Sequence, residues 1–260
     1  MSGPRRGAPD AGTVVPGRRG VLTALGGGLV LASLAACGNK EVAADNTAQA
    51  LPSVPERDDT EVLTWKQARK RLEEGNLRFV EGRVAHPDQS AERRTATGTG
   101  AQRPFATVLA CADSRVPPEL VFDQGLGDLF VVRSAGQVVD HAVLGTLQFG
   151  VAEFDTPLLL VLGHTGCGAV KATLEAVDKK SPATGTDVDT LVDAITPAVR
   201  DAEGMGAKPA DVLGVAVDNN VERVVEELAA AKVLGIAAKS RKLRVLGAVY
   251  DLATGEATFL

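Results

Sequence analysis

The chain has 260 residues, enough for one or two domains with a substantial core, and its 45% hydrophobic and 23% charged residues strike the balance of a globular protein, not a disordered one. A net charge of -5 leaves no basic field to hold a nucleic-acid backbone, so nucleic acid is not an expected partner. The three cysteines, Cys37, Cys111 and Cys167, are too few and too far apart to build a disulfide scaffold.

At the N-terminus, Arg18-Arg19 precedes Val21 to Ala36, a run without charge that ends at Cys37, after which polar residues resume. The run is shorter than the roughly 20 residues a helix needs to span a bilayer and contains Gly26-Gly27-Gly28, which argues against a permanent span. Residues 1–37 are therefore expected to be an export signal. The paired arginines resemble a twin-arginine signal, and Leu34-Ala35-Ala36-Cys37 resembles a bacterial lipobox whose cysteine thiol receives a diacylglyceryl group. Residues 38–60, rich in Ala, Pro, Asp, Glu and Asn and without apolar periodicity, are expected to form a flexible linker. On this reading residues 61–260 are an exported domain, held to the outer face of a bacterial cell membrane only through the lipid on Cys37.

Beyond the linker, Trp65, Ala68, Leu72, Leu77 and Phe79 recur among charges at helical spacing, which predicts a helix over 64–80 with Thr64 as its N-cap. Residues 105–110, 129–132 and 158–162 are short Val- and Leu-rich runs expected to be buried strands. Residues 141–153 and 168–177 carry the apolar spacing of crossover helices, 221–231 of a further helix, and 243–250 and 257–260 of two closing strands around a turn. Alternating helices and strands predict a single α/β domain, a mostly parallel sheet flanked by helices, with active residues gathered at the carboxyl ends of strands.

Those ends are where the chemistry lies. The first buried strand runs into Cys111-Ala112-Asp113-Ser114-Arg115, and the third into Gly163-His164-Thr165-Gly166-Cys167-Gly168. Two thiolates and an imidazole suit zinc, whose catalytic sites commonly keep three protein ligands and an open fourth position. A lone His-x-x-Cys carries little weight; joined by Cys111 at a second strand end it predicts a metal site at Cys111, His164 and Cys167, against the alternative of buried structural thiols.

These segments resemble the β-class carbonic anhydrases: Cys-Ala-Asp-Ser-Arg at 111–115, Phe-Asp-Gln-Gly-Leu-Gly-Asp-Leu-Phe-Val-Val-Arg at 122–133 and Gly-His-Thr-Gly-Cys-Gly-Ala-Val-Lys at 163–171, with further likeness at 75–79 and 247–252. The resemblance implies one zinc ion per chain and reversible hydration of carbon dioxide to bicarbonate and a proton by zinc-bound hydroxide. It also implies a homodimer or dimer-based oligomer, typically with exchanged N-terminal helices, the role expected of 64–80. Gln124 falls where many relatives place a glutamine that hydrogen-bonds bicarbonate, although in plant-like relatives that glutamine comes one position later, where this chain has Gly125.

Two anionic thiolates cancel the formal charge of the metal, so the site has to be helped in acidifying water. Asp113 and Arg115 are the expected helpers. Asp113 closes the site if it becomes the fourth ligand; if Arg115 holds it in a bidentate pair, the position opens to water and the carboxylate can accept a hydrogen bond there. His141 opens a helix and is a candidate proton shuttle or a plain surface residue, while His86 and Lys171 are expected to be solvated and Tyr250 to pack at its strand end. Other readings of the same residues are hydrolysis of carbonyl sulfide or carbon disulfide and a noncatalytic zinc-stabilised bicarbonate-handling module; the lack of a Cys-x-x-Cys motif speaks against a thiol redox protein.

Overall fold

A computed structural model describes residue 58 and residues 61–260 other than 207, 209, 240 and 241. The twin-arginine segment, Cys37 and nearly all of the linker lie outside the described residues.

Five strands, β1 (Ala106–Cys111), β2 (Leu129–Ser134), β3 (Leu158–His164), β4 (Arg244–Tyr250) and β5 (Ala257–Phe259), form one sheet in the order β2-β1-β3-β4-β5. The first four are parallel and β5 runs antiparallel to β4. Every residue of β1 and of β3 is buried, which is why these strands read as unbroken apolar runs. Alternate side chains serve opposite faces. Val108, Leu160, Leu162 and Ala248 pack with Ala68 and Leu72 of α1 (Trp65–Val80) and Val121 of α3 (Pro118–Val121). On the other face, Leu109, Leu159, Val161 and Val245 meet Leu147 and Val151 of α4 (His141–Phe154), Val221, Val224 and Leu228 of α7 (Val212–Ala230) and Leu234 of α8 (Lys232–Lys239).

The predicted N-cap holds: Gln67 N–H donates to Thr64 Oγ1, and the Gln67 side chain accepts from Thr64 N–H, a capping box. One expected core position is corrected, because Leu77 is 55% exposed and the inward place is taken by Asn76, whose amide bonds Val121 O, Gly255 O and Ala257 N–H. The buried face of α1 is thus used within its own chain.

Four helices were not anticipated in the sequence: α2 (Ala91–Thr99), α3, α6 (Val188–Gly204) and α8; in addition α7 begins nine residues before the expected start at 221. α5 (Gly168–Asp178) and α4 stand where expected. A third apolar cluster joins α5, α6 and α7 through Val170, Ile195, Val199, Ala216 and Val217 and extends to Cys111 and Cys167. Among the described residues no helix is long and apolar enough to cross a membrane.

Candidate metal centre

The chain leaves β1 toward β2 on one side and later leaves β3 toward β4 on the other, so the strand order reverses between β1 and β3. A crevice opens at such a point outside the carboxyl ends of the strands. Cys111 is the last residue of β1, His164 the last of β3, and Cys167 the N-cap of α5. Gly166, at φ +64, makes the left-handed turn that brings Cys167 back beside His164.

The three side chains converge, with their ligand atoms all within 4.8 Å of one another and each residue buried. Cys111 Sγ and Cys167 Sγ are 4.0 Å apart. A tetrahedral zinc with Zn–S bonds of about 2.3 Å would set two sulfurs roughly 3.8 Å apart. His164 Nδ1 lies 3.0 Å from Thr165 O, which makes Nδ1 the protonated nitrogen and leaves the lone pair on Nε2. That Nε2 is buried with no hydrogen-bond partner, an orphaned acceptor facing two sulfurs. Two thiols and this imidazole therefore fit a zinc ion by donor type, separation and unmet hydrogen bonding.

The sulfurs titrate as one unit. The hydrogen bond between them, helped by His164, draws the first deprotonation to Cys111, below the usual thiol range; that bond and burial push Cys167 up. Burial works against a charge on His164, but without a metal the neighbouring Cys111 outweighs it and raises the imidazole pKa, so a proton competes with a metal for the Nε2 lone pair.

Asp113 is clamped by Arg115, whose Nε and Nη2 donate to the two carboxylate oxygens at 2.9 and 2.7 Å, and whose backbone N–H adds a third bond at 2.9 Å. This holds the Asp113 carboxyl well below the usual carboxylate range. Asp113 Oδ2 lies 3.9 Å from His164 Nε2, at the edge of the cluster.

Three supports were not singled out in the sequence. Arg133 donates twice to Cys111 O, at 2.9 and 2.8 Å, and once to Asp113 O at 2.6 Å, pinning the metal loop to β2. Thr165 Oγ1 accepts from Leu252 N–H at 3.0 Å, and Thr165 N–H donates to Tyr250 O, tying the second loop to β4. Gly136 N–H donates to Cys111 Sγ at 3.3 Å. The first two lie inside quoted motifs, but their partners are distant in sequence and carry no local signal.

Gln124 is buried and bonded to Arg71, Phe122 O and Asp123 O, none of them in the Cys-His-Cys cluster. His86, His141 and Lys171 are exposed, and Tyr250 is buried at its strand end as expected.

A family model described as carbonic anhydrase matches residues 106–257. The chain is 44% identical over 194 residues to the carbonic anhydrase of Mycolicibacterium smegmatis, covering 75% of this chain and 90% of that one. It is 41% identical over 202 residues to carbonic anhydrase 2 of Mycobacterium tuberculosis, covering 75% and 91%. Among solved structures, the Coccomyxa β-carbonic anhydrase in complex with acetazolamide aligns with TM-score 0.58 at 29% identity, over 72% of this chain and 83% of that one. The Sordaria macrospora enzymes, described as tetrameric β-carbonic anhydrases, share the fold at TM-score 0.57 and 22% identity, over 65% and 87%. A fold, a ligand cluster and a sequence match that agree over the same residues show that the chain belongs to the β-class carbonic anhydrases.

Proposed function

We propose that this carbonic anhydrase holds one zinc ion on Cys111, His164 and Cys167 and interconverts carbon dioxide with bicarbonate and a proton. The observation that carries the reading is the orphaned Nε2 of His164, buried beside two sulfurs 4.0 Å apart. Zinc bound there supplies the Lewis acid that makes water a nucleophile near neutral pH. The chain's own residues do the rest. Arg115 occupies both oxygens of Asp113, which keeps the carboxylate from turning onto the cluster, so that a zinc ion held by the three ligands would keep a position free for water. Asp113, ionised throughout the neutral range, is an acceptor only, and beside the cluster it would accept a hydrogen bond from a water molecule there and orient it toward carbon dioxide. Arg133 and the Thr165 contacts hold the two ligand loops in register. The Gln124 amide is committed to Arg71, Phe122 O and Asp123 O, away from the cluster, so no bicarbonate contact is proposed for it within this chain.

The protein is further proposed to be exported through Arg18-Arg19, lipidated on Cys37, tethered by residues 38–60 and assembled as a homodimer or dimer-based oligomer. Support comes from the uncharged run ending at Cys37 and, for assembly, from the tetrameric relatives of Sordaria. Protein purified from the membranes of its own host tests all of this together. Stopped-flow hydration, zinc content, light scattering and the mass of the N-terminal residue are expected to give turnover, one zinc per chain, an even-numbered oligomer and a diacylglyceryl-modified Cys37. Full zinc without turnover rejects the catalytic reading, and an unmodified N-terminus starting elsewhere rejects the anchor.

A further inference from the structure

Gly136 is the middle residue of a short 3-10 turn (Ala135–Gln137) that follows β2. Both it and Gln137 have left-handed backbone, at φ +63 and +47. A Cβ on Gly136 would stand 2.8 Å from Ile195 Cδ1 of α6 and 3.1 Å from Ala169 Cβ of α5, so the left-handed backbone favours glycine and a side chain there would crowd both helices. Its N–H points at Cys111 Sγ. On its other side, Asn220 of α7, 3% exposed, donates Nδ2 to Gly136 O at 3.0 Å. Asparagine in mid-helix is a poor helix former, and a buried amide is costly unless bonded. The chemistry described above makes no use of Asn220, yet it is one bond from a residue that touches a metal-ligand sulfur.

We propose that Asn220 is a positioning residue: by anchoring the Gly136 carbonyl it holds the Gly136 N–H on the Cys111 sulfur and so sets the strength of that thiolate as a metal ligand. The inference rests on the reading of Cys111 as a zinc ligand. Partners of this kind orient a ligand and tune its donation, and their loss commonly weakens metal binding about 10- to 100-fold. An N–H on a thiolate also draws electron density from sulfur, leaving more positive character on the metal it binds.

Asn220→Leu is nearly isosteric and removes the donor without adding a charge. Asn219→Leu is the matched control, because Asn219 is also buried on α7 but donates to Ala198 O, away from the cluster. In the zinc-loaded protein, competition with a chelating indicator is expected to show affinity about tenfold or more weaker for Asn220→Leu and within about twofold of wild type for Asn219→Leu. After cobalt substitution, the sulfur-to-cobalt charge-transfer band of Asn220→Leu should move to longer wavelength. Equal affinity and an unmoved band in Asn220→Leu, or equal losses in both variants, overturn the proposal. Wild type that takes up no zinc instead refutes the metal reading itself. If Asn220→Leu does not fold, Asn220→Ala loaded with cadmium-113 decides: scalar coupling between the metal and the Gly136 amide proton across the N–H···S bond is expected to be smaller than in wild type, and an undiminished coupling overturns the proposal.

Discussion

Arg115 commits two guanidinium nitrogens and its backbone N–H to Asp113 while its own side chain stays 59% exposed, so the pair is held by geometry more than by burial. Removing the arginine frees the carboxylate to turn toward the cluster, 3.9 Å from His164 Nε2. Arg115→Ala is therefore expected to keep one zinc per chain yet lose about a hundredfold or more in kcat/KM, read by stopped-flow hydration beside metal analysis. Full activity in that variant removes the clamp from the mechanism. At this scale the sequence was most informative where chemistry is local: Cys111, Asp113, Arg115, His164 and Cys167 sit in two short motifs. It was silent where the partner is distant, since Arg133 reaches back 22 residues to Cys111 O and Asn220 reaches 84 to Gly136.

Elements were legible in proportion to how strongly burial patterned them. β1 and β3, buried at every position, show as continuous apolar runs, whereas α6 hides its face, Ile195, Ala198, Val199 and Ala202, among alanines and around an internal Pro197. The first half of α7 is obscured by Asp218-Asn219-Asn220, which reads as a break; both asparagines are instead buried and bonded to other elements, a tertiary override of propensity. The C-terminal end of α1 is fastened by one ion pair, Arg78 Nε to Asp123 Oδ2 at 2.6 Å, with the Asp123 carboxylate also accepting from Ala85 N–H and His86 N–H. Burial alone would raise the Asp123 pKa, but these donors outweigh it and the carboxyl ionises below its usual range. Such a group stabilises the fold fully above its unfolded pKa, about 3.9, and that contribution fades as pH falls through the lower folded value. Asp123→Asn leaves Arg78 facing no counter-charge in a largely buried place and should cost about 3 kcal/mol at pH 7. Urea unfolding of both proteins is expected to show that gap narrowing below about pH 4, and a gap independent of pH would refute this role for Asp123.

For the molecule as a whole, the alternation of helices and strands was enough to foresee a parallel sheet with its site at strand ends, but not the order β2-β1-β3-β4-β5, because order depends on which crossover passes which strand and leaves no local mark. That order has an energetic consequence. The three ligands come from β1, β3 and the start of α5, so an ion bound by all three ties the two halves of the sheet at its centre. It also satisfies His164 Nε2, which the protein alone leaves without a partner. The unfolded chain has no such preformed site, so metal binding adds to folding stability. At free zinc about 100 times its Kd the gain is about 2.7 kcal/mol. For a domain of this size that corresponds to a rise in Tm of roughly 5–10 °C over the chelator-stripped protein. Calorimetry across a zinc titration should show Tm climbing with the logarithm of free zinc, and the climb should vanish in His164→Ala. A Tm that ignores zinc in the wild type would mean that these three side chains do not act together on one ion.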